Sequence, residues 1–358
     1  MRVWMKINYV LPGSNLTGGI RTFAEITKRL AAKGHHVSIT LPARPEKAFA
    51  WQVETRFPSL AGLRRLSLRV IDKLFSPGLA ARTLNFGLEK AIPDCDINVA
   101  TFCMTTFPVL KSGKGKPFFH MQHYEPLMFD KPRLRKLAEQ TYLLPLTKIA
   151  NSTWLSNTVK EKVGVTPHLV LHGMDHNTFN PKEISIERNR KTVVAYARQT
   201  LWKGVPDLLE AMHIVMTKRN GVDLTLYGAS PITHTRAGVP YKFLQGISDE
   251  ELAKLYSSAD AVACPSWYES FPLPPLEAMA CGAPVVTTKY GTEDYAIDEE
   301  NALVVPPRDP EKMANGILRL LGDESLSERF RKAGPKKAKE FTWDKTADGF
   351  ERIFRGEA

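Results

Sequence analysis

Glu269 and Glu277 stand eight positions apart in ESFPLPPLEAMACG, residues 269–282, one on each side of a proline-rich turn. The preceding run DAVACPS reads as a strand ending at Ser266, so WYESFPLPP is a loop leaving the carboxyl end of a strand. In open parallel sheets, ligands sit at such loops. Pro274 and Pro275 suit the first turn of a helix and Gly282 suits its stop. A helix starting near 274 presents backbone N–H groups and a partial positive charge to an anion, with Glu277 in its first turn. Two carboxylates flanking an anion site are acceptors for vicinal hydroxyls: one pair on a ribose, another on a second sugar. Taken singly, each glutamate is read more simply as a solvated or dipole-complementing charge, and the constellation is what carries the functional reading.

Elements must hold these residues in place. The first half opens with the strand-like VWMKINYV and continues as LTGGIRTFAEITKRLAAKGHHVSITL, a glycine loop, an amphipathic helix and a second strand. Ile20, Phe23, Ile26, Leu30 and Ala31 recur at helical spacing. Further strands are expected at 96–101, 116–122, 147–152 and 168–173. The polar segment KEISIERNRK, 182–191, reads as a linker. The alternation then restarts with TVVAYA, the helix of KGVPDLLEAMHIVMTK, VDLTLYG, SDEELAKLYSSA and DAVACPS. APVVTTK and NALVVPP follow, with helices from about Asp309 to Leu321 and Ser325 to Lys339. Alternating strands and helices predict doubly wound α/β halves. The expected organisation is an N-terminal Rossmann-like domain over 1–185, a second over 186–341, and a last helix over 342–358, with a cleft between the two domains.

The bulk properties narrow the class. With 358 residues, 43% hydrophobic and 24% charged, the chain has the composition of an ordinary globular protein of two domains. No apolar run approaches the roughly 20 residues of a membrane span, and MRVWMKINYVLPG reads as a strand rather than a leader. Cys95, Cys103, Cys264 and Cys281 lack metal-ligand spacing and read as reduced thiols, which points to the cytoplasm. Residues 1–183 carry 26 Lys/Arg against 13 Asp/Glu, and residues 184–358 carry 23 against 25, so the net charge of +11 belongs to the first half. That field favours an anionic partner. Nucleic acid is disfavoured because there is no Cys/His finger, RNP-like strand or Lys/Arg block. In RFPSLAGLRRLSLRVIDKLF, 56–75, Leu60, Leu63, Leu66, Val70 and Leu74 line one helical face and Arg65, Arg69 and Lys73 the opposite one. Such a helix either packs in a core or lies on an anionic membrane surface.

The ordered motifs resemble the retaining glycosyltransferases grouped as family 4, whose fold is GT-B. Glu269 and Glu277 match that family's E-x7-E motif, and Gly18-Gly19 its glycine loop after the first strand. LHGMDHNTFNP is similar to its NGVD…F.P segment, and YARQTLWKG to its GR…KG element, with Arg198 and Lys203 at the matching places. NALVVPPRDPEKMA and FTWDKTADGFERIF resemble its C-terminal pattern, whose last helix crosses back to the first domain. The resemblance covers nearly the whole chain and implies transfer of a sugar from a nucleoside-diphosphate sugar to a glycan or lipid-linked acceptor. QHYEP is similar to a QDYEP variant of bacterial surface-polysaccharide transferases.

Residue roles follow by position. Arg198 and Lys203 would hold the diphosphate, a task suited to a guanidinium fork and a point charge. Glu277 would take ribose hydroxyls and Glu269 those of the transferred sugar, with backbone N–H groups of Phe271 and Leu273 nearby. Gly18 and Gly19 would let the backbone approach phosphate or acceptor. HMQHYEP sits where the family has a histidine facing the sugar. Gln122 or His123 falls nearest that place, His123 being preferred, and His120 falls within the strand. Ser270 and Pro272 replace the glycines of the common EGFGLP form, and Pro272 has no N–H to give.

The resemblance implies front-face substitution without a metal cofactor. No DxD lies at a strand end, and DCD at 94–96 precedes a strand. Base recognition is expected near KFLQGIS, 242–248. The setting implied is cytoplasmic, peripheral at the inner membrane face. The rival expectations are a sugar-nucleotide epimerase or hydrolase on the same scaffold, and a non-catalytic nucleotide-sugar or nucleic-acid binder.

Overall fold

The computed structural model describes residues 4–13, 18–42, 53–57, 87–184, 189–233, 236 and 238–357. Most of the basic segment 56–75 lies outside them. The chain divides into two compact units, Met1–His172 with Trp343–Ala358, and Gly173–Thr342.

The first unit holds β1 (Lys6–Val10), α1 (Gly18–Ala32), β2 (His36–Thr40), β3 (Glu54–Arg56), α2 (Leu88–Ala91) and β4 (Ile97–Ala100). It continues through α3 (Thr106–Ser112), β5 (Lys116–Met121), α4 (Pro132–Thr141), β6 (Thr147–Ala150), α5 (Thr153–Val163) and β7 (His168–Leu169). All pairings are parallel, in the order β3-β2-β1-β4-β5-β6-β7. Alternate residues feed two cores, because side chains along a strand point to opposite faces. Ile7, Tyr9, Ile97, Val99 and Phe118 pack with Phe23, Ile26 and Leu30 of α1. Val10, Ala100, Phe119 and Met121 pack with Tyr142, Leu155 and Val159.

The last helix of the chain, Trp343–Arg355, belongs to the first core through Trp343, Phe350, Ile353 and Phe354. Ion pairs fasten it to α1 and the turn after it: Arg29 to Asp344 at 2.9 Å, and Lys33 to Asp348 and to Glu351, the latter at 3.0 Å. The buried His35 accepts the Met5 N–H on Nδ1 at 3.1 Å, and its Nε2 lies 3.3 Å from Glu351.

The second unit holds β8 (Lys191–Tyr196), α6 (Val205–Lys218), β9 (Val222–Gly228), β10 (Tyr241–Gln245), α7 (Asp249–Ser257) and β11 (Ala261–Cys264). Then come α8 (Leu273–Ala280), β12 (Val285–Thr288), β13 (Leu303–Val305), α9 (Pro310–Gly322) and α10 (Glu324–Ala338), so that Trp343–Arg355 is α11. Its parallel sheet runs β10-β9-β8-β11-β12-β13. The strand order reverses between β8 and β11, just as it does between β1 and β4 in the first unit. Such switch points are where open α/β sheets receive ligands, beyond the carboxyl ends of the strands.

The polar segment 182–191 is not where the units divide. Residues 173–184 already pack with the second unit: the Met174 N–H donates to the Phe341 carbonyl at 3.2 Å, the Lys182 N–H to Ser257 Oγ at 3.1 Å, and Phe179 is buried beside Tyr256. The described polar residues Glu183, Asn189, Arg190 and Lys191 are exposed, while the apolar anchors upstream decide membership.

Candidate functional site

At the switch point of the second unit, the loop leaving β8 meets the loop leaving β11. Arg198 is exposed two residues beyond β8 and makes no ion pair with a described residue. Leu201–Lys203 form a single 3₁₀ turn closed by Gly204 in the left-handed region, at φ 68°. A Cβ on Gly204 would stand 2.1 Å from the Pro265 carbonyl oxygen, so only glycine permits this approach to the loop after β11. The Trp267 N–H donates to the Trp202 carbonyl at 2.8 Å, a second backbone tie between the loops. The rings of Trp202 and Tyr268 stack with centroids 6.1 Å apart.

These ties bring Lys203 and Glu269 together as a largely buried ion pair. Ser266 Oγ donates to the same carboxylate oxygen at 2.8 Å, and the Glu269 N–H donates to the Tyr290 carbonyl at 3.2 Å. The Lys203 ammonium lies 5.6 Å from the Tyr196 ring centroid, within the range where a cation is drawn to an aromatic face. An ammonium and a carboxylate held at a sheet's carboxyl edge offer adjacent partners to a phosphate and to a hydroxyl.

Glu277 lies elsewhere. α8 begins at Leu273, which places Glu277 at its fifth residue and therefore in the second turn, not the first. Its charge acts on Tyr227 and Tyr256, whose hydroxyls hydrogen-bond to each other; burial first, then such neighbours, push both phenols well above their usual range. The carboxylates thus take different partners, Glu269 on the β8 side and Glu277 beside the tyrosine pair from β9 and α7.

The start of α8 also differs from expectation. A helix leaves the N–H groups of its N-cap and first three residues without intrahelical acceptors. Here those positions are Pro272, Leu273, Pro274 and Pro275. Three are prolines, so Leu273 supplies the single orphan N–H of this helix start. Tyr295 anchors it by donating its hydroxyl to the Pro272 carbonyl at 2.7 Å. Phe271 turns its ring into the core against Tyr295 and Phe341, leaving its backbone as the part that can face a ligand. The segment 242–248 forms the edge strand β10 and the turn after it, where the Gly246 N–H donates to the Gly228 carbonyl at 3.1 Å.

In the first unit Gly18 and Gly19 open α1 after β1, on the switch-point side. His120 is fully buried in β5 between Phe23 and Phe350, and burial holds its imidazole neutral. Gln122 Nε2 lies 2.8 Å from His120 Nε2. His123 follows β5, buried, its Nδ1 3.2 Å from the Tyr124 carbonyl and its ring against Trp154. Asp94 and Asp96 precede β4 at the amino end of the sheet, away from the ligand edge, and Asp96 Oδ2 accepts the Lys6 N–H at 2.7 Å. All four cysteines are free thiols. Among the described residues no group of three or more His, Cys, Asp or Glu is placed to hold a metal ion, and no helix is long and apolar enough to cross a membrane.

Two residues of this architecture escaped the sequence reading. Ser266 shares the Glu269 oxygen but ends a strand as an ordinary serine would. Glu125 stands inside QHYEP, yet nothing in its letters signals that it is 1% exposed.

Two parallel-sheet α/β units, each with its switch point at the carboxyl edge, define a GT-B fold. Solved structures share it across the chain. Sucrose-phosphate synthase from Thermosynechococcus elongatus superposes with a TM-score of 0.80 at 19% identity, covering 98% of both chains. HepE from Anabaena, in complex with UDP-glucose, superposes at 0.72 and 17% identity, covering 98% of this chain and 100% of that one. The second unit carries a match to the family described as Glycosyl transferases group 1, over residues 177–337. Among curated proteins, MMP alpha-(1->4)-mannosyltransferase of Mycolicibacterium hassiacum is 35% identical over 199 residues, 50% of this chain and 46% of that protein. The chain spans about half the length of the first curated relatives it matches.

Proposed function

We propose that the protein is a glycosyltransferase that moves a sugar from a nucleoside-diphosphate sugar to a hydroxyl of a glycan or lipid-linked acceptor, with retention at the anomeric carbon. The Lys203–Glu269 pair at the switch point of the second unit carries this reading. A group 1 glycosyltransferase match over the same unit supports it, as do a mannosyltransferase relative and a like fold holding UDP-glucose.

In this reading Arg198 and Lys203 bind the diphosphate and neutralise charge as it departs. The Leu273 N–H and the start of α8 add to that field. Glu277 takes the ribose hydroxyls and Glu269 those of the transferred sugar. The bond from the anomeric carbon to the diphosphate oxygen breaks while the acceptor oxygen bonds to the same face. The acceptor proton passes to the leaving diphosphate. Positioning and charge stabilisation supply the rate, without metal. In the first unit Gly18 and Gly19 let the backbone approach phosphate or acceptor, and His123 faces the transferred sugar. The setting is surface-polysaccharide synthesis in the cytoplasm, at the inner face of the membrane.

A thermal-shift panel of UDP, GDP, dTDP, CDP and ADP, repeated with Lys203→Ala and Glu277→Ala, tests the donor site. Selective stabilisation by one nucleotide, weakened in both variants, is expected. No response to any nucleotide overturns the reading. Turnover of the sugar nucleotide that no acceptor hydroxyl stimulates would replace transfer with hydrolysis or epimerisation.

A further inference from the structure

The first unit contains a buried carboxyl group that neither sheet packing nor the donor site employs. Glu125 lies two residues beyond His123, at the start of the short turn Glu125–Met128 that follows β5. Its side chain is 1% exposed. The Cys103 N–H donates to Glu125 Oε2 at 2.5 Å. Cys103 opens the helical run Cys103–Thr105 that continues into α3, in the loop leaving β4. One carboxyl oxygen therefore ties the loop after β5 to the loop after β4, and β4 borders the switch point.

Tyr142, at the end of α4, completes the arrangement. Its hydroxyl donates to the His123 carbonyl at 3.0 Å and accepts the Glu125 N–H at 3.1 Å. The backbone on either side of Tyr124 is thus gripped by a fully buried phenol, while the Glu125 side chain grips the neighbouring loop. No described cation pairs with the carboxyl. A buried acid without a cationic partner costs stability unless it stays neutral. A purely structural core has no need of one, since an apolar residue of that size fills the space without the cost.

We propose that Glu125 is a positioning residue which, by joining the loops after β4 and β5, sets His123 and the backbone beside it for the transfer step. This deepens the proposed transferase reading and rests on it. Burial raises the carboxyl to about 8, with the hydrogen bonds from Cys103 acting against that rise. Glu125 is therefore a neutral acid at pH 7. The groups facing it are the Cys103 thiol from the β4 loop and the Tyr142 phenol from the end of α4; burial holds both protonated through this range, as it does the Tyr124 phenol packed against Tyr142. Glu139 of α4 acts on Tyr124. Ionisation above about pH 8 places an unpaired charge in this buried cluster, a cost that the Cys103 hydrogen bonds offset only in part, and the cluster opens towards water.

Glu125→Gln keeps an acceptor for the Cys103 N–H and stays neutral at every pH, whereas Glu125→Ala removes the tie. In transfer assays from pH 6 to 9.5, Glu125→Ala should lower kcat about tenfold with the donor KM changed less than about twofold, because the proposed diphosphate and ribose contacts lie in the other unit. Glu125→Gln should keep the wild-type kcat at pH 7 and lose the fall in activity above about pH 8. Without substrate, amide exchange at Cys103 and the 15N shifts of the His123 imidazole should move in Glu125→Ala and not in Glu125→Gln. Equal damage in both variants with an unaltered pH profile makes Glu125 a packing residue and overturns the proposal. So does a Glu125→Ala protein whose Cys103 exchange and His123 shifts match wild type, and this readout stands even if no acceptor is ever glycosylated.

Discussion

Gly204→Ala separates the geometry of the donor loop from simple backbone strain. Gly204 closes the turn that carries Lys203, donating its N–H to the Leu201 carbonyl at 3.0 Å, and its own carbonyl accepts the first bond of α6 from Leu208 at 3.0 Å. Its φ of 68° costs any other residue about 1–2 kcal/mol. A Cβ would also meet the Pro265 carbonyl oxygen at 2.1 Å and its carbon at 2.7 Å. Relief demands a shift of about 1 Å between two backbone segments, and overpacking of that kind costs a further ~1–3 kcal/mol. Gly282 is the matched control. Its φ is 78°, but the nearest atom to an added Cβ, the Arg331 carbonyl oxygen, is 3.6 Å away.

Gly282→Ala should therefore lose only the strain, and Gly204→Ala the strain plus the clash. At about 2–4 °C per kcal/mol for a unit of this size, the expected falls in Tm are roughly 2–8 °C and 4–20 °C respectively, the clash alone adding about 2–12 °C. Circular dichroism melts measure both. The functional consequence is separate, because the shift carries Lys203 away from Glu269. Stabilisation by the cognate nucleotide should persist in Gly282→Ala and fall at least about tenfold in apparent affinity in Gly204→Ala. Melting temperatures within 2 °C of each other, or an unchanged nucleotide response in Gly204→Ala, would refute the claim that this contact sets the donor loop.

Two carboxyls of the first unit should show opposite pH linkage. Burial raises Glu351, but hydrogen bonds from Arg355 and Lys33 outweigh it and leave the group at about 2. Its stabilisation is present above the unfolded value near 4.5 and is lost as pH falls towards 2, so Glu351→Gln should flatten the acid limb of a Tm–pH curve. Glu125 is shifted upwards, to about 8. The native state then holds a proton that the unfolded chain has released, and stability declines as pH rises from about 4.5 to 8. Glu125→Gln should remove that decline and raise Tm at pH 8. Glu269→Ala should weaken a nucleoside-diphosphate sugar about tenfold or more in calorimetric titration while leaving the bare diphosphate unchanged or tighter. Equal losses for both ligands would count against Glu269 as the sugar's partner.

Much of the framework was legible because parallel strands buried on both faces read as short apolar runs, and ILVA-type segments such as TVVAYA and DAVACPS have few other uses. The stop of α8 was legible from Gly282. The boundary between the units was not, because polar letters such as Glu183, Asn189 and Arg190 report exposure to water and not a break between cores. Met174 and Phe179, which decide where the chain belongs, look like any other apolar residues. Glu125 was hidden for a related reason. Burial of a carboxyl depends on a tyrosine seventeen positions away and on the loop after another strand. No local period encodes such a meeting. The prolines before Glu277 were read as helix formers that lose little, when their larger effect is to delete donors.

In the proposed donor site that deletion has a consequence. A helix start with one orphan N–H would hold a diphosphate less firmly than one with four, so the burden would move to Arg198 and Lys203. Lys203, however, already neutralises Glu269. A phosphate that draws the ammonium away strands a largely buried carboxylate, and an unpaired buried charge is costly. Ser266 offsets part of that cost with its single hydrogen bond. Hydroxyls of an attached sugar would offset the rest, donating to the carboxylate as the ammonium leaves it. In the proposed transferase, phosphate and sugar recognition would then be coupled through one ion pair. The intact nucleotide sugar would satisfy both halves of the pair and the diphosphate left after transfer only one, so the contact that selects the donor would also favour release of the product.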